Sequence, residues 1–432
     1  MKSITLFLVA VASLLAIPLL QAQEQQGKAR SVRRYELVDL GTLGGAYSYG
    51  LGINELGWIA GSAATQSQTN GLAQSAFLWY GGGPLQELGT LGGRDCPDCS
   101  SEAGGPNFWG ESALISETGK PDPNGEDFCG FGTHRQCLGA VWGDWRLTAL
   151  EPFAGGHNSQ AYWLDDFGRV AGFAETNHRD PTCETGTPNQ VLQFEAAIWN
   201  SNGEIRELPP LQGDTVGFAF GINNQGQAVG ASGLCSNVSL PPNEQPAGPH
   251  AVLWEADGTP INLGTLGGTY NLATSINEHG DVDGNAQSAQ DGNIHPFLWT
   301  KDAGIQDLGA YPGAFLTIAP CCHTLNDWRQ VAAFAALPCT GTGCQASSPP
   351  NFRALLWEDG SYTDLNTLVA ADSPLYLQSA ESINDAGQIT GYGLVKSACT
   401  VQSPPAWLVN QAACPVIHAF VLKPAILVSG QR

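Results

Sequence analysis

The sequence predicts an all-β fold, a seven-bladed β-propeller with four-stranded blades, and three observations carry that prediction. A five-residue turn signal occurs seven times at intervals of 49 to 58 residues, a period that suits propeller blades and exceeds that of most helical solenoids. A short apolar strand ending in Trp follows six of the seven turns. The composition, with 54 Gly, 27 Pro and one Met in 432 residues and 13% charged side chains, suits many short strands joined by turns.

In chain order, Lys2, the apolar run from Ile4 to Leu20 and the small residue Ala22 predict a cleaved export signal over residues 1–22. Pro18 interrupts the run and no basic cluster follows closely, which argues against an uncleaved anchor. Residues 23–34 read as a flexible arm carrying Lys28, Arg30, Arg33 and Arg34, residues 35–424 as the propeller and 425–432 as a tail. No later segment is apolar enough to span a bilayer, so no membrane insertion is expected after signal cleavage. A formal net charge of −22 disfavours nucleic acid and anionic membranes.

The turn signal is an apolar residue, Asn or Asp, two variable residues and Gly. It occurs at Ile53–Gly57, Pro106–Gly110, Leu164–Gly168, Ile222–Gly226, Ile276–Gly280 and Ile383–Gly387, with Arg329 replacing Gly in Leu325–Arg329. Asn or Asp caps a hairpin through its own side chain, and Gly supplies the positive φ that closes it. A small-residue strand precedes each turn and an alternating strand such as Trp58-Ile59-Ala60-Gly61 follows it. The third strand ends in Trp79, Trp142, Trp199, Trp254, Trp299 or Trp357, and its last copy is His418 to Leu422. A fourth strand runs into a Leu-Gly phrase, as in Glu87-Leu88-Gly89-Thr90-Leu91-Gly92-Gly93. The chain opens with a lone fourth-type strand, Tyr35 to Gly41, and ends with a third-type strand. Pairing of Tyr35–Leu40 with His418–Leu422 completes the last blade, removes exposed edges and closes the ring.

The phrases Asp39-Leu40-Gly41-Thr42-Leu43-Gly44-Gly45, Ala380-Glu381-Ser382-Ile383-Asn384-Asp385-Ala386-Gly387-Gln388 and His418-Ala419-Phe420 resemble the bacterial extracellular HAF repeats. The resemblance covers nearly all of the chain after residue 22. It implies an exported bacterial protein and brings no established catalytic activity. Blades 2, 3 and 6 depart from the pattern and carry longer loops.

Twelve cysteines in an exported chain predict disulfides. Cys96, Cys99, Cys321 and Cys322 fall in connections leading into a first strand. Cys129, Cys137, Cys183, Cys235, Cys339, Cys344, Cys399 and Cys414 fall between second and third strands, so all twelve are expected on one face. Loop proximity pairs Cys399 with Cys414, Cys183 with Cys235, Cys96 and Cys99 with Cys129 and Cys137, and Cys321 and Cys322 with Cys339 and Cys344. Zinc is the competing reading of Cys96-Pro97-Asp98-Cys99, but matching ligands are missing.

No nucleophile elbow, zinc-protease helix or phosphate loop is present, and no catalytic set stands out. Glu55, Asp166, Glu278 and Asp327 read as solvated turn residues on the opposite face. His250, His295 and His418 read as strand-entry histidines bonded to loop carbonyls. Two calcium-like strings, Asp122–Asp127 with Asp122, Asn124 and Asp127 as ligands and Asp281–Asn285, lack the terminal bidentate Glu of a complete loop, and no other cofactor is implied. The candidate ligand contacts are Tyr47, Tyr49, Phe128, Phe131, Tyr270, Tyr311 and Trp407, aromatics near the cysteine-bearing face. The leading expectation is therefore an exported, monomeric binding protein, extracellular or periplasmic, whose stapled face holds a glycan, a peptide or a surface protein. The alternatives are a secreted carbohydrate-active hydrolase or lyase and a purely structural module.

Overall fold

A computed structural model describes residues 34–65, 73–183, 190–238, 249–321, 323–338, 351–399 and 414–425. The expected export signal, Trp407, Cys322, Cys339 and Cys344 lie outside them.

The strand β1 (Arg34–Gly41) is followed by seven sets of strands. The first set is β2 (Gly44–Ile53), β3 (Ile59–Thr65), β4 (Ser75–Trp79) and β5 (Gln86–Gly89). The second is β6 (Ser101–Pro106), β7 (Ser112–Pro121), β8 (Arg135–Gly143) and β9 (Arg146–Leu150), and the third β10 (Ser159–Leu164), β11 (Val170–Arg179), β12 (Leu192–Trp199) and β13 (Ile205–Leu208). The fourth holds β14 (Val216–Ile222), β15 (Ala228–Gly233), β16 (His250–Trp254) and β17 (Pro260–Asn262), and the fifth β18 (Gly267–Ile276), β19 (Val282–Ser288), β20 (Ile294–Thr300) and β21 (Gly304–Asp307). The sixth is β22 (Leu316–Ile318), β23 (Val331–Leu337), β24 (Asn351–Glu358) and β25 (Ser361–Asp364), and the last is β26 (Leu375–Ile383), β27 (Ile389–Val395) and β28 (Ile417–Ala425). The second to sixth sets form separate four-stranded sheets in sequence order. In the last set β1 supplies the fourth strand: Leu37 lies opposite Leu422 and Val38 opposite Val421, the pairing read from the sequence. A parallel bridge between Tyr47 and Ile417 joins this sheet to the first.

The turn signals close the hairpins between first and second strands as expected. In the first, Asn54 Oδ1 accepts from Leu56 N and Trp58 N, and Gly57 sits at φ 76°. Arg329 takes the Gly position at φ 58°, a conformation that costs a side-chain-bearing residue about 1 kcal/mol, and its guanidinium reaches Asp281 at 2.7 Å.

The apolar core lies between neighbouring sheets. Ala332, Ala354 and Leu356 of the sixth pack against Leu375, Leu377, Ile389 and Phe420 of the last. Ala419 and Val421 of the last pack in turn against Ile53, Ile59, Phe77 and Trp79 of the first. The third-strand tryptophans belong to this packing, and where deeply buried their indole N–H groups find backbone acceptors, Trp199 on Glu151 O and Trp254 on Pro209 O.

Four disulfides are described: Cys96–Cys99, Cys129–Cys137, Cys183–Cys235 and Cys399–Cys414. The last two agree with the expected pairs. The first two correct the expectation that Cys96 and Cys99 join Cys129 and Cys137, because each pair is close enough in sequence to bridge within its own segment. Cys137 also lies inside β8 and not in a loop. Cys321 is disulfide-bonded. No helix among the described residues is long and apolar enough to cross a membrane.

Candidate functional site

Residues at the seven turns and the strand ends that lead into them line one common cavity, and a repeated irregularity in the first strands decides which side chains turn toward the space beside it. Pairing with the second strand skips a residue between Gly50 and Gly52, Ala161 and Trp163, Ala219 and Gly221, Ala273 and Ser275, and Ala380 and Ser382. A bulge of this kind re-aims the unpaired residue, here Leu51, Tyr162, Phe220, Thr274 and Glu381. In the second sheet Gly104 and Gly105 are skipped together.

At the position before the turn's apolar residue, six copies are small (Gly52, Gly105, Gly221, Ser275, Thr324 and Ser382) and the third is Trp163. Its indole fills the space the others leave. It stacks on His323 with centroids 4.6 Å apart and planes 3° from parallel. A Cβ on Gly105 would lie 1.9 Å from its Cη2, and one on Gly52 2.7 Å from its Cζ3. Glycine is needed at these two positions for close approach. Trp163 therefore divides the axial space into two cavities that it lines from both sides.

The cavity on the turn side has a volume of about 130 Å³. Around it each turn bonds to the next. Asn54 Nδ2 donates to Asn107 O, Asn107 to Asp165 O, Asn223 to Asn277 O, Asn277 to Asn326 O, Asn326 to Asn384 O and Asn384 back to Asn54 O. The Asp165 side chain has no N–H to offer; Arg169, held on Asp165 Oδ2, donates to Asn224 O in its place. One residue further along, side chains accept the preceding turn's backbone N–H: Glu55 from Asp385, Asp166 from Phe108, Asn224 from Asp166, Glu278 from Asn224, Asp327 from Glu278 and Asp385 from Asp327. The reading of these acids as merely solvated is corrected, since they link neighbouring turns. Burial, with the carboxylates of Asp385, Asp327 and Asp166, raises the Glu55 carboxyl to about 7, and Glu278 and Asp327 are raised for the same reasons. Burial lowers His323 to about 4, so its imidazole is neutral near pH 7.

The second cavity, of about 280 Å³, is lined by Leu51, Glu102, Ile115, Tyr162, Cys321 and Glu381 beside Trp163. Glu381 arrives there through the β26 bulge and Glu102 from β6. Burial raises Glu381 to about 7, against a hydrogen bond from Ser379 and with a push from Glu102. Burial also raises Glu102, whose Oε2 accepts from Gln74 Nε2 at 2.8 Å and Ser62 Oγ at 3.3 Å. The Tyr162 phenol, bonded to Gln160 Oε1 at 2.5 Å, is raised by burial and by Glu102. The cavity thus holds two carboxyl groups with different hydrogen-bond support, both raised by burial.

The candidates read from the sequence lie beside this cavity or elsewhere. The Tyr47 and Tyr49 rings meet tilted by 35° and Tyr49 meets Tyr392 edge-on, in the cluster that contains the Cys399–Cys414 bridge. Phe128 packs on Phe173 and Phe194, Tyr311 against Ala333, Ala335 and Leu355, and Phe131 and Tyr270 are half-buried. In the calcium-like strings Asp122 accepts from Asn124 N, Glu126 N and Asn158 Nδ2, and Asp127 from Gly132 N. In the second string Asp281 pairs with Arg329 and Asp283 accepts from Thr324 and Thr274. No group of three or more His, Cys, Asp or Glu suited to a metal occurs among the described residues. The strand-entry histidines bond carboxylates and not the expected carbonyls: His250 to Asp214, His295 to Asp307 and His418 to Asp39. Sequence reasoning passed over Glu102, Glu381 and Trp163. Their signal was an ionisable or bulky residue in a strand whose counterparts are mostly small or apolar.

No family model matches the chain, and no curated protein matches it significantly. Solved structures do. Puromycin hydrolase is 12% identical, with 84% of this chain and 52% of that chain covered and a TM-score of 0.50. Pyrococcus horikoshii acylaminoacyl peptidase is 10% identical over 84% and 51%, with a TM-score of 0.46. The β-propeller domain of the Trilobed protease from Pyrococcus furiosus is 10% identical over 72% and 82%, with a TM-score of 0.41. The fold is all-β, built of four-stranded sheets, with propeller-type neighbours. This chain spans about half the length of the hydrolase and the acylaminoacyl peptidase it matches. Two of these neighbours are hydrolases by name and the third is the propeller domain of a protease; that finding runs against the expectation of a binding protein, which is not kept, and at 10–12% identity the likeness itself shows the fold alone.

Proposed function

We propose that the chain is a hydrolase of glycosidic bonds, with Glu381 as general acid and Glu102 as its carboxylate partner in the second axial cavity. The observation that carries this reading is the pair of carboxyl groups lining one cavity in unequal surroundings. Two such groups suffice for glycoside hydrolysis: one protonates the departing oxygen, the other activates the water that attacks the anomeric carbon or attacks that carbon itself. Glu381, raised to about 7, keeps its proton below about pH 7. Glu102, though raised by burial, accepts hydrogen bonds from Gln74 and Ser62 that favour its anion, one more donor than Glu381 has from Ser379. Tyr162 lines the same cavity beside them.

The scaffold under this reading is a seven-bladed propeller closed by β1 on β28, which the circuit of turn bonds from Asn54 round to Asn384 supports. Export follows from the same reading, with the four disulfides in its favour.

The test is incubation of residues 23–432 with a polysaccharide panel, measuring new reducing ends, beside a panel of peptidyl p-nitroanilides. Glycan cleavage is expected, with Glu381→Gln lowering kcat by about 10²-fold or more and the wild-type rate falling as pH passes about 7. Cleavage of the peptidyl substrates alone, or full activity in Glu381→Gln, would overturn the assignment.

A further inference from the structure

The turn side of the molecule exposes aromatic residues that the fold does not require. Trp109 is 69% exposed, Phe167 67% and Trp328 71%, each the second variable residue of its turn, and Phe108 beside them is 43% exposed. The indole N–H of Trp109 donates to Asp166 O at 3.0 Å and that of Trp328 to Asp385 O at 2.9 Å, each on the next turn. In the fourth turn Gln225 Nε2 makes the same bond to Glu278 O. An amide therefore does the structural task, and the indole faces are surplus apolar surface held in fixed orientation. Exposing them forfeits burial, which is the mark of a contact surface.

Phe108 lines the 130 Å³ cavity, and Trp109, Phe167 and Trp328 each follow a lining residue in sequence, Phe108, Asp166 and Asp327; the cavity wall also carries Glu55, Glu278 and Asp385. Two nearby cations are engaged, Arg169 with Asp165 and Arg329 with Asp281, and Lys301 stands outside the cavity in a pocket it shares with Asp327. His279 lies 3.5 Å from Asp327 at the rim. The mouth thus has an acidic centre and an aromatic edge. The turns of Trp109 and Trp328 stand three steps apart in the circuit of turn bonds, so an occupant touching both must cross the opening.

We propose that this face docks a basic polypeptide segment, one Lys or Arg side chain entering the carboxylate-lined cavity while apolar neighbours pack on Trp109, Phe167 and Trp328. Charge complementarity selects the cation, and the spread of the aromatics selects an extended segment over a small ion. A precedent lies within the chain, where the Arg169 guanidinium stands 5.5 Å over the Phe167 ring. Trp163 separates this cavity from Glu102 and Glu381, so the inference stands apart from the hydrolase reading.

The experiment is fluorescence anisotropy of residues 23–432 with labelled peptides carrying a Leu-Leu-Lys-Leu-Leu core or the same core with Gln for Lys. The Lys peptide is expected to bind saturably, the Gln peptide about tenfold more weakly, and added salt to weaken the former. Trp328→Gln and Trp109→Gln, which retain the bond made by Gln225, should each weaken the Lys peptide by about fivefold without changing the unfolding midpoint. Glu381→Gln should leave its binding unchanged. Equal affinity for the two peptides, affinity unmoved in both tryptophan variants, or no binding at about 1 mM peptide would each overturn the proposal.

Discussion

Removing the axial plug gives a test that reads the geometry directly. Trp163 is 7% exposed, stacks on His323, and touches the backbone at Gly52 and Gly105. Replacing a buried Trp by Ala costs about 3–5 kcal/mol. The lower end, about 3 kcal/mol, applies here because the indole already borders cavities and gives up fewer contacts. Gly105→Ala alone brings Cβ to 1.9 Å from Trp163 Cη2, and displacing the indole costs about 2 kcal/mol as overpacking. The three nearest atoms to that Cβ all belong to Trp163, so the Trp163→Ala background removes the clash. The double variant is therefore expected to be no less stable than Trp163→Ala, a coupling of about 2 kcal/mol. Urea unfolding of the four proteins measures it through midpoints and slopes. Additive losses would refute the placement of the indole across the axis.

Other consequences are as direct. Asp283 is fully buried and raised to about 7 by burial; the native chain then holds a proton the unfolded chain releases, so stability is present at low pH and lost as pH rises through the folded value. Between about pH 5 and pH 8 this one group removes about 3 kcal/mol, and Asp283→Asn should flatten the fall in urea midpoint by that amount; an unchanged slope would dismiss the assignment. Asn384, fully buried, donates to Asn54 O and Gln388 Oε1 and accepts from Gln388 N, so Asn384→Ala should cost about 2 kcal/mol, measured in the same way. Serine replacement of Cys183 and Cys235, which are 52 residues apart, should cost about 4 kcal/mol in the chain-entropy model, against about 2 kcal/mol for Cys96 and Cys99; the reverse order in urea midpoints would count against that account.

Much of the scaffold was legible because its signals are local. Asn-x-x-Gly turns close hairpins through the chemistry of their own residues, and strand alternation orders the sets. A lone fourth-type strand at the start and a third-type strand at the end left one economical pairing, the one observed between β1 and β28. The longer disulfides followed from the same ordering of loops. The short ones did not, because Cys96–Cys99 and Cys129–Cys137 depend on how their own segments fold.

The candidate site was decided elsewhere. Period-two alternation assigns Glu381 and Tyr162 to a face only if pairing stays in register, and the bulges break that register. Glu102 and Glu381 are 279 residues apart in sequence and share a cavity because β6 and β26, first strands of different sheets, both border it. Likewise, Gly52 and Gly105 look like ordinary strand glycines until Trp163 arrives from the third sheet to occupy the space they leave. The sequence by itself determined the repeats, their turns and their order, since each rests on contacts within one repeat. Only the tertiary structure decided which side chains reach the axis, because that depends on convergence of sheets remote in sequence.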